Sequence, residues 1–261
     1  MRAPSAGLVL LKPKSNLRCA GRPICDVVRM LLLCVIATPS VSIANDNCVV
    51  LLHGLGRSAN SMNRIEEALI AKDFEVANIN YPSRKNTIEH LAPEAVGRGV
   101  EACKKQEAAT IHFVTHSMGG ILVRQFMANN QVPELGHVVM IAPPNQGSEI
   151  VDNWRNVPGY VAISGPAGLQ LGTDDASVPK TLGPVKFSVG VIAGNRTYNL
   201  IFSMSLPNPD DGRVSVAKTK VEGMSDFIEM PHTHSFIMRS DDVIRQALHF
   251  LEFGEFQHKV P

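Results

Sequence analysis

Ile111-His112-Phe113-Val114-Thr115-His116-Ser117-Met118-Gly119-Gly120 is the stretch that decides the fold. It reads as a short apolar strand running straight into Ser117. A glycine pair follows, and residues 121–130 then read as a helix. A serine at the tip of such a strand-to-helix turn has a defined physical setting. The turn is tight, so the serine backbone is strained and its Oγ stands clear of the sheet edge. Residues two before and two after the serine must be small, because strand and helix nearly touch there. Gly119 meets that need on the far side, whereas Thr115 stands where a glycine is usual. The bland alternative is a polar turn between two core elements, and only the surrounding chain decides between them.

Working outward, the flanking segments alternate strand and helix. Cys48-Val49-Val50-Leu51-Leu52 is a continuous apolar run, as expected for a strand buried on both faces of a parallel sheet. It ends in His53-Gly54-Leu55-Gly56. Residues 61–72 carry Met62, Ile65, Ala68 and Leu69 at helical spacing. Residues 74–79 read as a second strand, closed by Tyr81-Pro82. Residues 87–106 read as a weaker helix, interrupted by Pro93 and two glycines. Beyond the serine, residues 137–142 form a strand stopped by Pro143-Pro144. Residues 145–184 lose periodicity and read as an irregular excursion over the top of the sheet, long enough to argue for a functional role. Residues 188–193 and 226–230 are two more strands. Ser240 reads as the N-cap of a last helix, with Asp241 and Asp242 at the positive end of its dipole. Val243, Ile244, Ala247, Leu248 and Leu251 make that helix's buried face. The expected class is α/β, a doubly wound, mostly parallel sheet with right-handed crossovers.

Composition sets the outer bounds. The chain has 261 residues, 44% of them hydrophobic, and a formal charge of +1. That allows one sizeable core and gives no argument for nucleic-acid binding. Residues 1–44 hold six Lys/Arg and one acid, so residues 45–261 keep 25 − 6 = 19 basic and 24 − 1 = 23 acidic residues, a net of −4. Arg29 precedes the apolar run 30–37, and Ser42-Ile43-Ala44 offers small residues at a cleavage site. This is the pattern of a secretory signal, so residues 1–44 are expected to be a targeting segment, residues 45–261 the folded domain, and the protein exported to the periplasm or medium. The run is short for a membrane span, which needs roughly 20 apolar residues; an uncleaved anchor is the alternative.

Removal of the leader would leave only Cys48 and Cys103. Cys48 opens the first strand at the amino edge of the sheet. Cys103 lies near the end of the helix feeding the serine strand, and a βαβ crossover returns that end to the same edge. A bridge is therefore expected in an oxidising compartment. Two separately buried thiols are the alternative.

A serine hydroxyl is a weak nucleophile until a base takes its proton, and that base needs an orienting acid. On such an elbow the acid and then the histidine come later in the chain. Asn208-Pro209-Asp210-Asp211-Gly212 offers two acids, with Asp211 the first choice. Pro231-His232-Thr233-His234 fills the loop before the last helix, with His234 the first choice and His232 the reserve. The oxyanion hole needs backbone donors. The Met118 amide follows the serine, and Leu55 lies in the loop after the first strand.

Taken together, His53-Gly54-Leu55-Gly56, Thr115-His116-Ser117-Met118-Gly119-Gly120, Pro143-Pro144-Asn145-Gln146-Gly147-Ser148, Asp211-Gly212-Arg213-Val214-Ser215-Val216 and His234-Ser235-Phe236 resemble lipase-like α/β hydrolases. The nearest resemblance is to exported bacterial esterases and lipases, a group similar to the class 2 lipases and the PGAP1-like hydrolases. It covers residues 48–253. It implies a carboxylic ester hydrolase that needs no cofactor. The expected partner is a small-molecule or lipid ester, with membrane-surface contact through that substrate. The resemblance leaves the substrate open, since the fold also carries thioesterases and acyltransferases.

Two other classes compete. A metal hydrolase would draw on His112 with His116, or on His232 and His234 with Asp210, although no open three-ligand motif is visible. A non-catalytic binding protein on the same fold would not need a serine, acid and histidine in order. Fluorophosphonate labelling separates these classes, because only an activated serine labels.

Overall fold

The computed structural model describes residues 46–198 and 200–258. The expected targeting segment, residues 1–44, lies outside the described residues. Six strands form one sheet: β1 (Asn47–Leu52), β2 (Glu75–Ile79), β3 (Thr110–His116), β4 (Leu135–Ile141), β5 (Val189–Gly194) and β6 (Asp226–Met230). Their order is β2-β1-β3-β4-β5-β6, and every pairing is parallel. The apolar run of β1 is buried from Cys48 to Leu52, as a central parallel strand requires.

Two helical layers cover the sheet. One face carries α1 (Asn63–Ile70) and α9 (Asp241–Phe253), whose Ile65, Leu69, Val243 and Phe250 pack with Val49, Leu51, Val114 and Val139. The other carries α2 (Ile88–Lys105) and α3 (Met118–Asn129), whose Leu91, Val96, Ile121 and Leu122 pack with Val50, Leu52 and Phe113. Alternate residues of each strand thus feed opposite cores.

The structure differs from the sequence expectation in two places. Helix α2 runs unbroken through Pro93 and its glycines. Gly99 is an approach site rather than a weak point: a Cβ there would lie 2.3 Å from Val50 Cγ1. The excursion is not irregular throughout. It holds α4 (Glu149–Trp154), α5 (Tyr160–Leu169) and α6 (Val178–Thr181). Helix α5 is kinked at Gly165, ahead of Pro166, which erases its periodicity. Two further short helices follow β5: α7 (Leu200–Ser203) and α8 (Val216–Thr219).

Cys48 and Cys103 are bridged, with their Cα atoms 5.6 Å apart. The bridge ties the start of β1 to the end of α2, at the sheet's amino edge. At the opposite edge, the chain leaves β1 and β3 in different directions, one helix passing to each face. That divergence opens a crevice between the carboxyl ends of the two strands, the position where doubly wound sheets bind ligands.

Candidate active site

Ser117 sits in that crevice, between β3 and α3, with φ 53° and ψ −122°. A positive φ in a residue with a side chain is held only when its surroundings enforce it. The Ser117 amide donates to Ile141 O at 2.8 Å, and the Gly120 amide donates to Ser117 O at 3.0 Å. Glycine at 119 is required by packing, because a Cβ would stand 2.6 Å from Leu52 O and 3.0 Å from Leu52 Cβ. Thr115 is accommodated for a related reason. Its hydroxyl donates to Val139 O at 3.3 Å, and a Cβ on Gly120 would lie 3.3 Å from Thr115 Oγ1. The second glycine supplies the space that Thr115 takes up.

The structure brings together the three residues singled out in order along the chain. Ser117 Oγ lies 3.0 Å from His234 Nε2, and His234 Nδ1 lies 2.7 Å from Asp211 Oδ2. The other Asp211 oxygen accepts from the amides of Arg213 and Val214, at 2.9 and 2.8 Å. The carboxylate is therefore fully engaged and its side chain is 0% exposed. An ionised acid on Nδ1 selects the tautomer that donates there and leaves Nε2 to accept the serine proton. The His234 amide also donates to Asp211 O at 3.0 Å, pinning the two loops together.

The neighbouring candidates have other partners. Asp210 accepts from Ser203 Oγ at 2.6 Å and from the Gly212 amide at 2.7 Å. His232 Nε2 lies 2.8 Å from Asp242 and its Nδ1 3.2 Å from Ser240 Oγ, so it fastens the loop to the start of α9. His112 Nδ1 accepts from the His137 amide at 2.9 Å. Among the described residues no three His, Cys, Asp or Glu side chains converge as a metal site would require.

The two expected backbone donors flank the serine. Met118 opens α3, and the first amides of a helix have no intrahelical acceptor. In the loop after β1, the Gly56 amide donates to Ser83 Oγ and the Arg57 amide to Gly54 O. The Leu55 amide between them and Gly54 has no partner among the described residues. Gly54 brings this loop against the serine: a Cβ there would lie 3.1 Å from Ser117 Cβ. His53 fixes the loop's start. Its Nδ1 lies 2.9 Å from Gly54 O, its ring stacks on Tyr81 at 4.1 Å, and the Tyr81 hydroxyl donates to its carbonyl. Burial pushes the His53 imidazole below its ordinary value.

Sequence reasoning weighed His116 only as a metal ligand beside His112 and missed its contact to His234. It is buried, and burial first, then the charge of His234, hold it well below an ordinary histidine. Its Nε2 donates to the carbonyl of His234. The strand periodicity marks it only as inward-facing.

Ser117 and His234 open into a cavity of about 530 Å³, a size ordinary for small-molecule sites. Its walls come largely from the excursion, with Ile150, Val151, Trp154, Ile163 and Leu171 lining it alongside Phe202 of α7.

No protein-family model matches the chain, and no curated protein matches it in sequence. Solved structures do. The mature form of the lipase BlEst2 from Bacillus licheniformis aligns with TM-score 0.65 at 16% identity, over 78% of this chain and 91% of that one. The esterase Pf2001 from Pyrococcus furiosus aligns with TM-score 0.55 at 17% identity, over 80% of this chain and 83% of that one. The phospholipase PlaB from Legionella pneumophila aligns with TM-score 0.54 at 20% identity, over 67% of this chain but only 45% of that larger one. The parallel sheet, its helical layers and these likenesses give one result: the chain has the α/β-hydrolase fold, the fold of these lipases and esterases.

Proposed function

We propose that this protein is a serine hydrolase that cleaves carboxylic esters. The observation that carries the reading is the hydrogen-bonded chain Ser117–His234–Asp211 at the mouth of an apolar cavity. His234 accepts the Ser117 proton as Oγ attacks the carbonyl carbon. Asp211 holds the imidazole in its tautomer and stabilises the imidazolium that forms. The amides of Met118 and Leu55 receive the developing oxyanion, where fixed donors stabilise charge without reorganising. His234 then gives the proton to the departing alkoxide, leaving an acyl-serine. Water, deprotonated by the same histidine, releases the acid. Nothing in the sequence of steps calls for a cofactor or a metal.

The substrate we infer is a small-molecule or lipid ester. Support comes from the cavity wall and from its rim, where Ile163 is 68% exposed and Ile201 of the adjoining α7 is 67% exposed. Apolar groups left in water around a pocket mouth suit contact with a lipid surface. The likeness to lipases and a phospholipase is consistent with that class. We further propose export. Support comes from the leader pattern in residues 1–44 and from the Cys48–Cys103 bridge, a bond that persists in oxidising compartments.

The test is hydrolysis of p-nitrophenyl butyrate by the wild type and by Ser117→Ala. Loss of at least about a thousandfold in kcat is expected, down to the level left by binding and the oxyanion donors. A variant as active as the wild type would refute the assignment.

A further inference from the structure

Three arginines line the cavity that holds Ser117: Arg57 after β1, Arg84 after β2, and Arg213 beside Asp211. They come from three separate loops, and all three are exposed. The folded part of the chain carries more acids than bases, yet among the described residues none of the three is ion-paired. Arg155, in the excursion, shows the contrast: it pairs with Asp152 at 2.6 Å and Asp174 at 3.0 Å. The contacts the three do make are modest. Arg57 donates to Ser235 O at 3.3 Å, and Arg213 lies 4.5 Å over the Phe202 ring. Each guanidinium has five N–H donors, so most remain available.

The carboxylate whose charge reaches Arg213, that of Asp211, is committed elsewhere. Asp211 is spent on His234 and two amides, with its side chain fully buried. Among the described residues, no Asp or Glu lines the cavity. The cavity therefore joins an apolar wall to a rim of uncompensated positive charge with planar, forked donors. That donor geometry matches phosphate oxygens.

Resting on the ester-hydrolase reading above, we propose that the preferred substrate is an acyl compound with a phosphate group on its leaving side. The acyl chain lies against Trp154, Leu171 and Phe202, and the phosphate meets Arg57, Arg84 and Arg213. Two sources share this chemistry, a phosphoglyceride and an acyl-coenzyme A.

The experiment compares kcat/KM of the full chain on monodisperse dihexanoylphosphatidic acid, hexanoyl-coenzyme A and uncharged dihexanoylglycerol. At least one phosphate-bearing substrate is expected to exceed the uncharged one by about tenfold or more. Exposed ion pairs are each worth roughly two- to fivefold, so Arg84→Gln with Arg213→Gln should lower that ratio about tenfold. Lysine at both positions should restore most of it, and raising NaCl should erode it. Hydrolysis of only one phosphate-bearing compound identifies the source. A wild-type ratio near one, or a ratio unchanged in the double glutamine variant, overturns the proposal. Retained activity of Ser117→Ala on dihexanoylglycerol would instead sink the underlying hydrolase reading.

Discussion

His116 Nε2 donates to the carbonyl oxygen of His234 at 3.0 Å, and the two rings stand 4.9 Å apart. The residue before the serine thus holds the backbone of the residue that faces the serine. Burial keeps His116 neutral, so it donates without adding charge beside the proposed base. His116→Ala should lower kcat for p-nitrophenyl butyrate by about 10- to 100-fold, the scale of a misplacement near one ångström, with little change in KM. An unchanged kcat would show that Asp211 and the turn alone position His234.

The two histidines of the β6–α9 loop should separate in kinetics. His234→Ala removes the proposed base and should cost kcat nearly as much as Ser117→Ala. His232→Ala removes the contacts to Asp242 and Ser240. It should lower the thermal midpoint and leave kcat within about tenfold, because loop anchoring acts on the site only indirectly. Equal kinetic losses would reassign the base.

The Cys48–Cys103 bridge spans 55 residues. The chain-entropy model gives about 4 kcal/mol for a loop of that size, an upper figure. Urea unfolding with and without reductant should show a stability loss of a few kcal/mol. Non-reducing peptide mapping should recover the two cysteines in one cross-linked fragment. Separate fragments, each with an alkylated thiol, would contradict the bridge.

Acid should destabilise the fold through its buried histidines. Burial, with the nearby His137 charge, lowers His112 to about 4 from an ordinary 6.5; His53 and His116 are lowered chiefly by burial. For these groups the unfolded chain binds the extra proton first, so stability is full above about pH 6.5 and falls as pH drops toward 4. Each contributes a slope of at most about 1.4 kcal/mol per pH unit in that window. His112→Gln should flatten the decline in urea midpoints between pH 6.5 and 4. An identical slope in that variant would remove His112 from the account.

The layout of the sheet was legible because its strands announce themselves. Runs such as 48–52 and 137–142 are apolar on both faces, which only a covered parallel sheet explains. The bridge was legible from topology, since both cysteines fall at one edge of adjacent elements. Other features depend on tertiary contacts with no local pattern. The excursion's helices are short, one is kinked at Gly165, and Arg124 of α3 helps hold them in place. Arg124, a cation inside the helix expected over residues 121–130, is only 4% exposed. It donates to Asn145 O at 2.8 Å, Pro179 O at 3.1 Å and Gly183 O at 2.7 Å. The sequence ranked Asp211 above Asp210 only by its place directly before Gly212. Only the fold shows that one faces Ser203 and the other His234. Thr115 departs from the expected glycine, and the space that Gly120 leaves becomes visible only in three dimensions.

The central claim is that Ser117 is an activated nucleophile. Its most direct test is reaction of the purified protein with a fluorophosphonate, followed by intact mass and peptide mapping. The account predicts one phosphonyl adduct per chain, located on Ser117, formed quickly by the wild type and hardly at all by His234→Ala. An unlabelled wild type, or an adduct on any residue other than Ser117, would contradict it.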